Sequence, residues 1–413
     1  MDELLASRFP SALPTTGAWT PADPPGDRSF FNIADGKYPF ALEGGGRLKE
    51  IRVAYETWGT LNEGAGNAVL VCHAFTGDSH ATGEITSAYP AGGWWNNVVG
   101  PGKAIDTNRY FVVCSNVLGG CQGTTGPADA PPEPETMFST PDSSRQADAG
   151  YKAYPYGSRF PVVTIRDMVR VQALLANHLG IRCWLSVAGG SMGGMQALEW
   201  AVMYPKRVRS ILPLATCTAS SPTQIAWNAV GRLAVAGDPH WHNGDYYDKP
   251  SGPWWGLAVA RELAQVTYRS SAMFDHRFGR DSFDLDNFYN LWGRFEIESY
   301  LDHHGQKLVR RFDANTYMTI SKAIDLHDIG RNRGGVATAL SRIKVPVLTA
   351  AISSDILYPP YQQQEIYDGV VNGGGDCRFV MIDSDEGHDA FLLETGQMYK
   401  PISAFLDEIH ETV

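Results

Sequence analysis

Residues 187–201 read VAGGSMGGMQALEWA, with one serine, Ser191, set between two pairs of glycines. Each glycine forgoes side-chain packing and costs backbone entropy on folding, so four together call for a local steric reason. Gly189-Gly190-Ser191-Met192-Gly193 matches G-x-S-x-G, the pattern of a sharp strand-to-helix turn that presents a serine hydroxyl. The context fits: WLSVAGG (184–190) is a β-like apolar run, and MGGMQALEWAVMYP (192–205) reads as a helix stopped by Pro205. Ser191 is predicted to be a nucleophile at a helix N-terminus, where unbonded N–H groups and the helix dipole favour developing negative charge. The backbone N–H of Met192 is the expected first oxyanion donor.

Outward from this turn, the same rhythm repeats. AVLVCHAF (68–75), YFVVCSNVLG (110–119), SILPLAT (210–216) and VPVLTAAIS (345–353) are short continuous apolar runs, as expected of strands buried on both faces of a parallel sheet. LKEIRVAYETWG, from Leu48, alternates and is β-rich. Between strands lie helical segments such as VTIRDMVRVQALLANHLG (163–180), with Thr164 and Asp167 at capping-box spacing and Gly180 at its end. Strand–helix alternation predicts an α/β fold with a mostly parallel central sheet flanked by helices. Four segments are expected: an irregular N-terminal arm (1–45), a first core part (46–216), an inserted, mainly helical lid dense in Trp, Tyr and Phe (217–340), and a second core part (341–413). The Pro- and Ser-rich stretch 127–150 reads as an exposed loop.

Bulk composition narrows the function. Among 413 residues, 43% are hydrophobic, as in an ordinary globular protein, and the formal net charge is −11. That balance argues against nucleic acid as a partner, since no basic excess exists to neutralise phosphates. No apolar run is long enough to span a membrane, and the start MDELLASRFP lacks the features of a secretory signal. The six cysteines show no C-x-x-C spacing, so reduced thiols and a cytoplasmic location are expected.

A serine nucleophile needs a base, and the base needs an orienting carboxylate. With the elbow serine first in the chain, the expected order is Ser, Asp or Glu, His. Asp355 follows the strand-like VPVLTAAIS, and His388 follows the strand-like RFVMID; Asp383 and Asp385 are rival orienters, less attractive for lying so close to His388 in sequence. The second oxyanion donor is expected after an early strand, where AVLVCHAFTGDSH offers the backbone N–H of Phe75. His240, His242, His303 and His304 lack a carboxylate or cysteine at ligand spacing, so no metal is expected. His327-Asp328 reads as a polar structural pair.

Taken together, AYETWGTLN, CHAFTGDSH, GWW, VGPGKAIDTNRYFVVCSNVLGGCQGTTGP, GGSMGGMQALEWA, QIAWNAVGR, RFDANTYMTISKAID, SDILYPP and EGHDAF resemble the homoserine O-acetyltransferase family, acyltransferases of the α/β-hydrolase fold. The resemblance runs from about Leu48 to the C-terminus and implies Ser191, Asp355 and His388 as a triad. It implies a ping-pong reaction in which Ser191 takes an acyl group from acyl-CoA and passes it to the hydroxyl of homoserine, a step of methionine synthesis. CoA is then a substrate, and no cofactor is required. The resemblance also suggests Arg232 for the acceptor's carboxylate, Asp389 for its ammonium, and a homodimer formed through the lid helices. Relatives of the same fold use succinyl-CoA, acylate serine or other hydroxyls, or hydrolyse esters, and these alternatives stay open at the level of sequence. Phe75 stands where the family usually has leucine.

Overall fold

The computed structural model describes residues 13–34, 38–131, 154–282 and 288–412. Its centre is an eight-stranded sheet. In chain order the strands are β1 (Ser29–Ala34), β2 (Glu50–Trp58), β3 (Ala68–Cys72), β4 (Phe111–Ser115), β5 (Ser186–Gly190), β6 (Ile211–Leu214), β7 (Val347–Ile352) and β8 (Cys377–Ile382). Their spatial order is β1-β2-β4-β3-β5-β6-β7-β8. β1 and β2 run antiparallel to their neighbours, and every pair from β4 to β8 is parallel.

The continuous apolar runs end where predicted, in the middle of this sheet: every residue of β3, β5, β6 and β7 is buried. Successive side chains point to opposite faces. Leu70 and Val187 therefore pack with Met168 and Trp200 from α1 (Ile165–His178) and α2 (Met192–Met203), whereas Val69 and Ala188 pack with Ile402 and Phe405 of the last helix. The capping box of α1 is present: the Asp167 amide donates to the Thr164 hydroxyl at 3.3 Å, and the Thr164 amide donates to Asp167 at 3.1 Å.

One expectation about the arm is corrected. SFFNIA (29–34) is not irregular but forms β1, paired along its length with β2, Ser29 opposite Tyr55 and Ala34 opposite Glu50. Its six residues sit among prolines and glycines, and an edge strand needs only one partner to satisfy its backbone. Residues 1–12 of the arm, and 132–150 of the expected loop, lie outside the described residues.

Between β6 and β7 the chain leaves the sheet and is mainly helical. It forms α3 (Pro222–Ala236), α4 (Trp254–Tyr268), α5 (Ser271–Phe278), α6 (Glu296–Val309) and α7 (Ala314–Asp325). The neck of this excursion is closed by an isolated bridge between Ala219 and Asp328. Beside it, the buried His327 ring contacts the Cys217 carbonyl through Nε2 at 3.0 Å. Residues of these helices line a pocket together with Phe75, Ser191 and Leu357 at the carboxyl ends of β3, β5 and β7. The chain order of the strands reverses between β3 and β5, where parallel sheets leave a crevice.

Candidate active site

Ser191 sits between β5 and α2 with φ 58° and ψ −124°, a left-handed backbone that a non-glycine residue adopts only when its surroundings impose it. Two hydrogen bonds impose it here. The Ser191 amide donates to the Leu214 carbonyl at 2.9 Å, and the Thr216 hydroxyl donates to the Ser191 carbonyl at 2.7 Å. The glycine cluster has a steric origin: a Cβ on Gly193 would lie 2.1 Å from the Cys72 carbonyl oxygen, and one on Gly190 2.4 Å from the Phe391 ring. Strand, helix and neighbouring loop thus approach more closely than any side chain allows.

The loop after β3 supplies the opposite wall. His73, fully buried at its start, is a residue the sequence reading missed. Its Nε2 accepts the Val117 N–H at 3.1 Å, so the proton is on Nδ1, which donates to the Ala74 carbonyl at 2.7 Å. Burial lowers its pKa, which keeps the ring neutral and in that tautomer. This ring fixes the peptide before Phe75. Among the described residues neither the Phe75 nor the Met192 amide donates to a protein acceptor, so both remain available.

Asp355 and His388 meet although 33 residues separate them: His388 Nδ1 lies 2.7 Å from Asp355 Oδ2, with both side chains almost fully buried. The other Asp355 oxygen accepts the Leu357 and Tyr358 amides at 2.8 and 2.9 Å. Asp383 instead accepts a bond from the Ser353 hydroxyl. The His388 ring is packed among Tyr268, Tyr358 and Phe391, at centroid distances of 5.9, 5.0 and 5.3 Å.

Ser191 and His388 face the same cavity of about 150 Å³, together with Phe75, Tyr268, Arg261 and Asp389. A smaller inner pocket of about 30 Å³ also reaches Ser191 and shares Phe75 and Tyr268 with the larger one; Trp227, Leu263, Tyr317 and Tyr358 wall it. Asp389 lines the larger cavity, with an oxygen 3.3 Å from Arg269 Nη2.

Arg232 is not itself a lining residue of either cavity, though Asn228 and Tyr317 beside it line the smaller one. It stands on α3 one turn beyond Asn228, and its charge is matched by Asp325 on α7, Nη2 to Oδ2 at 2.6 Å. A second arginine, Arg261 on α4, lines the larger cavity; it has no carboxylate partner among the described residues and lies over the Tyr268 ring at 5.1 Å. Its signal was present: Arg261 shares a helical face with Ala264 and Tyr268, at i+3 and i+7.

A buried histidine–carboxylate pair, an elbow serine facing the same space and two uncommitted amides form the constellation of a serine acyl-transfer site. Residues 67–395 match the alpha/beta hydrolase fold family, the class to which this sheet and elbow belong. Within it, the chain is 50% identical over 387 residues to homoserine O-acetyltransferase of Thermobifida fusca, covering 94% of this chain and 95% of that one. It is 46% identical to the enzyme of that name from Moorella thermoacetica, over 89% of this chain and 93% of the other. The chain belongs to the homoserine O-acetyltransferase family, and so to a family of enzymes. Among solved structures it is similar to homoserine O-acetyltransferase from Bacillus anthracis (TM-score 0.81, 28% identity, 92% of this chain and 97% of that one). Esterase E22 is comparably similar (TM-score 0.80, 29% identity, 92% and 99%). No helix among the described residues is long and apolar enough to cross a membrane.

Proposed function

We propose that this enzyme transfers the acetyl group of acetyl-CoA to the hydroxyl of L-homoserine through an acetyl-Ser191 intermediate, as a step of methionine synthesis. The observation that carries this reading is the His388–Asp355 pair facing the same cavity as the elbow serine. His388 Nε2 takes the Ser191 proton as the hydroxyl oxygen attacks the thioester carbonyl. The tetrahedral oxyanion is held by the Phe75 and Met192 amides, and collapse expels the CoA thiolate, which takes the proton from His388. Asp355 keeps the proton on Nδ1 and balances the transient imidazolium. In the second half, His388 removes the proton of the homoserine hydroxyl as that hydroxyl attacks the acetyl ester, and on collapse returns the proton to the departing Ser191 oxygen.

A zwitterionic acceptor needs one cation and one anion held apart. Arg261 and Asp389 line the cavity with opposite charges, and we assign them to the homoserine carboxylate and ammonium, Arg261 replacing Arg232 in that role. No cofactor takes part. The small inner pocket beside Ser191 suits an acetyl group better than a succinyl group. The proposal includes a cytoplasmic location and a homodimer; Val230 and Leu233 of α3, 54% and 70% exposed, supply apolar surface for the latter.

The test is CoA release from acetyl-CoA with homoserine, with serine and without acceptor, repeated with succinyl-CoA. Release that depends on homoserine and acetyl-CoA is expected. Equal release without acceptor would instead assign an esterase, the reading favoured by the likeness to esterase E22.

A further inference from the structure

Beyond the serine cavity lies a second, outer one of about 420 Å³, within the size range of small-molecule sites. Thr76, Gly77, Trp94, Arg311, Asp389 and Leu392 line both, so the outer space leads to Ser191 through that neck; Asp78 and Asp389 are the carboxylates on the outer cavity's wall. Three cations from separate parts of the chain converge on it: Arg28 just before β1, Lys307 in the last turn of α6, and Arg311 before α7. None has an ion-pair partner among the described residues. Arg28 is only 7% exposed; its guanidinium is held by the Pro25 carbonyl and by Gln122, lies 4.5 Å from the Tyr89 ring centre, and leaves Nε without a partner. Arg311 donates to the Thr76 carbonyl at 2.8 Å, while Asp78 acts on it only at longer range.

A fourth cation, Arg269, is already matched by Glu386 and Asp389. Lys307 is only partly withdrawn from solvent, and that partial burial together with repulsion from Arg311 and Arg261 lowers its pKa. Unpaired cations gathered in a partly enclosed space weaken the fold unless an anion offsets them. The acceptor is one small zwitterion, already provided for by Arg261 and Asp389. The donor carries several phosphate charges at one end and a slender neutral arm ending in the thioester.

We propose that the outer cavity binds the phosphorylated nucleotide end of acyl-CoA, with Arg28, Lys307 and Arg311 as its phosphate contacts and the neck at Trp94 passing the pantetheine arm to Ser191. This rests on the CoA-dependent reading above. Lysine and arginine from different elements grip a polyanion at more than one phosphate, which also sets the distance from anchor to reacting carbonyl.

The experiment compares kcat/KM for acetyl-CoA with that for acetyl-pantetheine, in the wild type and in Lys307→Gln and Arg28→Gln. Lys307 is exposed, so its variant is expected to fold. The wild type should favour acetyl-CoA strongly, and Lys307→Gln should cut that preference about tenfold, as expected for one charge-assisted hydrogen bond. Titration calorimetry with adenosine 3′,5′-bisphosphate should show binding that weakens with salt and falls about tenfold in the same variant. Equal use of both thioesters by the wild type, or an unchanged preference in the variants, would overturn the proposal. If neither thioester acylates homoserine, the reading of the reaction fails and calorimetry decides the site: salt-sensitive binding that Lys307→Gln weakens upholds it, and no binding overturns it.

Discussion

Asp355→Asn should nearly abolish turnover while leaving the fold intact, and the structure shows why. One Asp355 oxygen accepts two backbone amides, from Leu357 and Tyr358, while the other faces His388 Nδ1 at 2.7 Å. An asparagine must keep its carbonyl oxygen on those amides, because its NH₂ group cannot accept from them. The NH₂ is then forced toward His388 and donates to Nδ1. That moves the imidazole proton to Nε2, the nitrogen that has to receive the Ser191 proton, and it removes the charge that balances the imidazolium. Together these should lower kcat about 10⁴-fold, or roughly 5 kcal/mol at about 1.4 kcal/mol per decade. Both backbone hydrogen bonds survive, so the urea midpoint should change little. The assay is thiol-trapped CoA release at saturating acetyl-CoA and homoserine, with unfolding followed on the same samples. A loss of less than about a hundredfold in a folded variant would show that Asp355 does not set the tautomer of His388.

Three further outcomes are expected. Arg261→Ala should weaken acceptor use by about 2–5 kcal/mol in kcat/KM for homoserine, whereas Arg232→Ala should leave the KM for homoserine unchanged and cost about 3 kcal/mol of stability by leaving buried Asp325 unpaired; an elevated KM in the Arg232 variant would return that residue to the site. Gly193→Ala should destabilise by about 3 kcal/mol or more, because its Cβ would meet the Cys72 carbonyl at 2.1 Å, while Gly180→Ala, with open space but φ +73°, should cost about 1 kcal/mol in the same thermal melts. Burial pushes His327 down to about pKa 4, so the folded state stays unprotonated where the unfolded chain, near 6.5, binds a proton. Its contribution is fully present above pH 6.5 and declines by about 1.4 kcal/mol per unit down to about pH 4; urea midpoints measured from pH 7.5 to 5 should fall less steeply in His327→Gln.

The local parts of this protein were legible in its sequence. Continuous apolar runs specify strands buried on both faces, and β3, β5, β6 and β7 lie where those runs do. Four glycines around one serine specify close backbone approach, and Thr164 with Asp167 specify a helix start; each depends on residues a few positions apart. β1 was hidden because an antiparallel edge strand draws its order from a partner about 20 residues away, not from its own Pro- and Gly-rich surroundings.

The sequence by itself determined the elbow serine, the turn that bears it, and which carboxylate and histidine are candidates to serve it. Periodicity tells which residues share a helix face but not what that face meets. Only tertiary packing put Arg261 in the cavity and paired Arg232 with Asp325, on neighbouring helices of one lid. Only it set Asp355 against His388 at 2.7 Å, and brought Arg28, Lys307 and Arg311 to one space. Charges separated by hundreds of residues have no pairwise energy until the chain folds, and at a few ångströms that energy decides which of them are spent on structure and which remain for a ligand.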